Sequence, residues 1–81
     1  MIIFDEMQNK SLGDVSILLD KSEASQLLSY LKGMIASNAP DEHFHLNNED
    51  YSKEITVSLY DKNGSLEGFA EKYKKLIQSE G

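Results

Sequence analysis

Eighty-one residues are the length of one domain, with room for one thin core. The chain has no Cys, which excludes disulfides, thiolate zinc sites and thiol catalysis. Fourteen acidic residues face eight basic ones, every one of them Lys, for a net charge of −6. Arg is the usual bidentate reader of phosphate and guanine, so its absence and the negative field argue against nucleic acid and favour a basic protein partner.

No basic start leads into an apolar segment of the signal-peptide kind, and no apolar run approaches the roughly 20 residues of a membrane span. The expectation is a single domain over residues 1–81, cytoplasmic and without membrane contact. "MIIFDEM" opens the chain as a weak strand candidate, and "NKSLG" is long enough for a loose hairpin connection. "DVSILLD", residues 14–20, then alternates: Val15, Ile17 and Leu19 share one side, Asp14, Ser16 and Leu18 the other. Period two with β-branched residues predicts a half-buried strand.

"DKSEASQLLSYLKGMIASNAP" reads as the first helix. Asp20 is placed to cap it, Glu23 completes a capping box, and Leu19 with Ala24 has the spacing of a hydrophobic staple. Ala24, Leu27, Leu28, Leu31, Met34 and Ile35 form one apolar stripe, and Asn38 and Pro40 end the helix. Gly33 lies in its interior, at a cost of about 1 kcal/mol relative to Ala.

"HFHLNN" alternates again, with Phe44 and Leu46 on one face and His43 and His45 on the other. In "EITVSLY", Ile55, Val57 and Leu59 are expected inward and Glu54, Thr56, Ser58 and Tyr60 outward. "NEDYSK" between them is a polar turn of hairpin length, and "DKNG" closes the second strand. A second helix is expected from Leu66, capped by Ser65, to Gln78. Its stripe is Leu66, Phe69, Ala70, Tyr73, Leu76 and Ile77, with Glu71 paired to Lys75. Lys72, Lys74 and Lys75 are read as complementing its C-terminal dipole.

The order is ββαββα. With one apolar face per strand and one stripe per helix, the economical arrangement is an α+β two-layer sandwich. An antiparallel sheet of about four strands carries both helices on one face, leaving His43, His45, Thr56, Ser58 and Tyr60 on the open face.

His43-x-His45 points two imidazoles the same way, a spacing found in metal sites. The sequence holds no further His, so additional ligands would have to come from Glu49, Asp50 or Glu54. No second motif supports a metal, and half-exposed strand histidines are the plainer account. A nucleophile turn of the G-x-S-x-G kind is missing, so no catalytic, cofactor or metal residues are assigned and a non-enzyme is expected. "DKNGSLE" places its Gly and Glu at the wrong positions for a calcium loop and is a turn. Residues 41–54 hold five acids against one Lys, with Phe44 and Tyr51 among them. Such a segment suits a solvated edge, or an acidic docking surface whose aromatics act as anchors.

The runs "LDKSEASQLLSYLKGMI", "HFHLNNEDY" and "EITVSLYD", roughly residues 15–61, resemble small acidic α+β immunity proteins that accompany bacterial polymorphic or contact-dependent toxins. The resemblance implies a non-catalytic inhibitor that occludes a cognate toxin, often a nuclease, and it implies contact roles for His43, His45, Glu49, Asp50 and Tyr51. The open sheet face adds Glu54 and Tyr60 to the expected partner-binding set. The alternative expectation is a homodimeric structural or regulatory protein that buries Leu18 and Tyr60 against a second copy.

Overall fold

The computed structural model describes residues 1–37, 42–61 and 63–81. The chain is α+β. In chain order it contains β1 (Phe4–Asp5), β2 (Lys10–Ser11), α1 (Lys21–Ala36), β3 (His43–Asn47), β4 (Glu54–Ser58) and α2 (Glu71–Glu80). Instead of one sheet of about four strands, the described residues form two separate two-stranded antiparallel sheets, β1–β2 and β3–β4. The chain divides into two compact units: Met1–Leu18 with Phe69–Gly81, and Leu19–Gly68.

The first unit departs most from the sequence pattern. One Asp5 carboxylate oxygen accepts the N–H groups of Met7 and Gln8, at 3.0 and 3.1 Å, and Asn9 follows in the left-handed region at φ 54°. This tight turn sets the register, Phe4 against Ser11 and Asp5 against Lys10, and Leu12 N–H extends the pairing to Ile3 C=O at 2.8 Å. β1 has therefore found its partner before residue 14. The expected strand at 14–20 does not form, and Val15, Ile17 and Leu18 are exposed, Leu18 by 89 %. A period-two pattern supplies the faces of a strand, not the neighbour it must bond to.

α2 also starts later than its apolar spacing suggests. Gly68 sits at φ 94°, in the left-handed region open to Gly, and this turn is incompatible with a helix running through from Leu66. Ser65 does not cap a helix; its hydroxyl accepts the N–H of Glu67 at 3.2 Å. The helix runs from Glu71 to Glu80 with Ala70 as its N-cap, buries Ile77, and sets the Tyr73 ring edge-on to Phe4 at 5.6 Å. Glu71 pairs with Lys74 at 3.4 Å rather than with Lys75, and no basic residue lies in the last turn. The lysines thus sit in the first half of the helix and do not complement its C-terminal end.

The second unit follows the sequence closely. The Asp20 carboxylate accepts the Glu23 N–H at 2.8 Å, while the Glu23 carboxylate accepts the Asp20 N–H at 3.0 Å. This is the expected capping box, and α1 begins directly after it. The helix ends at Ala36, where Ser37 N–H bonds back to Gly33 and Met34 C=O; Asn38 and Pro40 lie outside the described residues. Met34, Phe44 and Leu46 form the buried cluster, flanked by Leu19, Leu27, Leu31, Ile55 and Val57. Tyr30 stacks on Phe44 at 4.8 Å. The buried stripe of α1 is narrower than the pattern implied: Ala24, Leu28 and Ile35 face water. A two-stranded hairpin is about 10 Å across, and it can cover only the part of a helix that lies directly over it.

Candidate functional site

β3 and β4 pair in the register His43–Ser58, Phe44–Val57, His45–Thr56, Leu46–Ile55 and Asn47–Glu54. Alternation then separates two faces. Phe44, Leu46, Ile55 and Val57 belong to the core cluster with α1, while His43, His45, Glu54, Thr56 and Ser58 are exposed on the opposite side. On that outer face His45 Nδ1 lies 2.8 Å from Thr56 Oγ1 and 3.8 Å from Glu54 Oε1. The His43 and His45 rings meet edge to face at 5.3 Å. Because His45 and Glu54 are each about half exposed, protonation of the imidazole would add only a weak, solvent-screened ion pair.

The connection over 48–53 is held by its own side chains. Asn48 Oδ1 accepts Lys53 N–H at 2.9 Å, and Asn48 Nδ2 donates to Ser52 Oγ at 3.0 Å. The backbone of Asn48 donates to Lys53 C=O and accepts from Tyr51 N–H, at 3.3 and 3.1 Å. The Asp50 carboxylate accepts Ser52 N–H at 3.0 Å. Hydrogen bonds from the Ser52 hydroxyl, then from its backbone N–H, hold the Asp50 carboxyl below its ordinary value of 3.8 and so keep it charged.

This bonding places Tyr51 at φ 59°, in the left-handed region, with its side chain 78 % exposed. A non-glycine residue there costs about 1–2 kcal/mol, and no core packing offsets it. The loop therefore presents an aromatic ring to solvent on a strained but cross-braced backbone, beside the exposed carboxylates of Glu49 and Asp50.

Six of the seven expected partner-binding residues thus lie on one hairpin: His43, His45 and Glu54 on its outer face, and Glu49, Asp50 and Tyr51 at its tip. Tyr60 is different. It lies beyond the end of β4 and is half-buried, while Leu59, expected inward, is exposed. The alternation applies only while the chain remains in the strand. Leu18, the other residue of the expected homodimer contact, lies in no strand. Sequence reasoning missed Asn48 and Ser52 as organisers of the tip, although Asn at the start of a short polar connection is a signal for side-chain-to-backbone bonding.

Among the described residues no group of three or more His, Asp or Glu side chains is placed to hold a metal ion. Likewise, no helix among them is long and apolar enough to cross a membrane. Comparison of the chain with models of protein families, with curated proteins and with solved structures found no match.

Proposed function

We infer that the chain is a non-catalytic, cytoplasmic protein-binding module, an immunity-type inhibitor whose β3–β4 hairpin covers a basic site on a toxin. The observation that carries this is Tyr51, a solvent-facing aromatic at a braced, left-handed tip beside the carboxylates of Glu49 and Asp50. Strained backbone that does nothing for packing is a common mark of a recognition element, and exposed Tyr is a frequent interface anchor. Charge points the same way. The unit Leu19–Gly68 carries nine acids against four lysines, a net −5, whereas the other unit carries five acids against four lysines, a net −1.

Inhibition would be occlusion. Glu49, Asp50 and Glu54 take the place of phosphate charge in a cationic groove of the kind a nuclease uses, and Tyr51 fills a pocket that sets the register. The test is co-expression with the product of the adjacent large open reading frame. That product alone should arrest growth, the intact chain should relieve the arrest, and Tyr51→Ala with Asp50→Lys should not. A neighbour that is harmless alone, or that stays toxic beside the intact chain, ends this reading.

A second reading, a homodimeric structural or regulatory protein, is favoured by Leu28 and Ile35. They lie one heptad apart on α1 and are 55 % and 74 % exposed. Sedimentation at rising protein concentration separates the two: a dimer lost on Leu28→Lys with Ile35→Lys supports self-association through α1.

A further inference from the structure

The unit formed by Met1–Leu18 and Phe69–Gly81 contains a groove of about 320 Å³ lined by residues of that unit. Three of the eight lysines of the chain converge on it: Lys10 from β2, and Lys72 and Lys75 from α2. Phe4 and Leu76 give it apolar surface, and Ser11 and Ser79 add hydroxyl groups. Its volume falls at the lower end of the roughly 300–1,000 Å³ typical of small-ligand sites.

The local sequence explains the convergence. Lys72, Leu76 and Ser79 follow one another at helical spacing along a single face of α2, with Lys75 beside them. The Asp5-braced turn, with Asn9 in left-handed backbone, brings Lys10 and Ser11 back alongside β1. Lys72 is already engaged: its ammonium lies 3.1 Å from Glu6 and 4.8 Å from the centre of the Phe4 ring. Ser11 Oγ donates to Glu80 at 3.2 Å. Lys10 and Lys75 make no ion pair among the described residues. They therefore present two ammonium groups beside apolar surface, with the Glu80 carboxylate drawn to Ser11 at the edge of the groove.

We propose that this groove binds a small organic anion, a carboxylate or phosphate monoester head carried on an aromatic or aliphatic body. Lys10 and Lys75 hold the head, and Phe4 and Leu76 receive the body. Both parts are needed. A bare anion gains little from two solvated ammonium groups, and a neutral ring gains little from so open a surface. The site is independent of the proposed inhibitor function, and each can fail without the other.

The test is a titration of the full chain, followed by amide chemical shifts, with phenyl phosphate, benzoate, inorganic phosphate and phenol at constant ionic strength. Phenyl phosphate or benzoate should give saturable shifts at Ser11, Leu76 and Ser79, with at least tenfold tighter apparent affinity than inorganic phosphate or phenol. Lys10→Gln with Lys75→Gln should weaken that binding at least tenfold while leaving the circular dichroism spectrum unchanged. Lys32→Gln, on α1 and not among the residues that line the groove, should leave it intact. The proposal is overturned if neither aryl anion gives saturable shifts at those amides, if inorganic phosphate or phenol binds as tightly, or if the double variant binds as well as the parent. Should the double variant fold poorly, Ser79→Glu puts a negative charge into the groove instead, and undiminished binding there overturns the proposal equally.

Discussion

Tyr51 separates recognition from stability at the scale of a single residue. Its left-handed backbone costs about 1–2 kcal/mol. Tyr51→Gly removes that cost but adds about 0.5–1 kcal/mol of unfolded-state freedom. The expected outcome is a variant as stable as the parent or up to about 1.5 kcal/mol more stable in urea melts, yet at least tenfold weaker in relieving the toxin. A tip residue that served only the fold would not divide in this way. Asp50 offers a second reading of the same loop. Its carboxyl is held below 3.8 by the Ser52 hydroxyl and backbone N–H. The stabilisation it contributes is thus complete above about pH 3.8 and is lost as the pH falls through the lower, folded-state value. A carbon-detected titration of the Asp50 side chain should find its midpoint below 3.8, and Ser52→Ala should move that midpoint upward, since the largest cause of the depression is then gone.

At the scale of elements, α1 is the best-specified part of the chain, and two substitutions of opposite sign show why. Asp20→Ala breaks the capping box and should lower stability by about 1 kcal/mol. Gly33 stands inside the same helix, and an added Cβ there would meet nothing within 4 Å. Gly33→Ala should therefore raise stability by about 0.5–1 kcal/mol. Urea unfolding of both variants and of their combination checks the pair, which should be close to additive because the sites are more than three helical turns apart. Gly64 is a contrasting case. A Cβ at that position would come within 3.1 Å of the Asp61 side chain, in a turn closed by Gly64 N–H to Asp61 C=O, so Ala there requires Asp61 to give way and should stabilise less than Gly33→Ala.

At the scale of the whole molecule, the charge is unevenly shared. With a net −5 on the unit that carries the hairpin and −1 on the other, most of the negative charge belongs to the unit that holds the proposed docking surface. Association with a cationic partner should therefore slow steeply as salt rises and the Debye length shrinks, with a smaller change in dissociation rate. Stopped-flow measurement between 0.05 and 0.5 M salt, values chosen to span roughly 14 to 4 Å of screening length, would show this. An association rate indifferent to salt would remove the electrostatic part of the mechanism. Small-anion binding in the lysine groove should weaken with salt as well, but through equilibrium affinity rather than encounter.

Local chemistry was legible in the sequence wherever it needed no distant partner. The capping box of Asp20 and Glu23, the inward Phe44 and Leu46 of β3, the outward His43 and His45, and the polar hairpin connection all follow from spacing alone, because helix caps and strand alternation are properties of a few consecutive residues. What spacing could not decide was competition. Val15, Ile17 and Leu19 have the pattern of a strand, but the turn braced by Asp5 had already paired β1 with Lys10 and Ser11. Leu28 and Ile35 have the pattern of a core, but the β3–β4 hairpin that packs on α1 leaves them exposed. The left-handed Tyr51 and the meeting of Lys10 with Lys72 and Lys75 likewise belong to the folded chain, since they depend on which backbone groups bond and which elements pack together. A linear pattern states what each residue can do; which partner it reaches is settled only when the chain closes on itself.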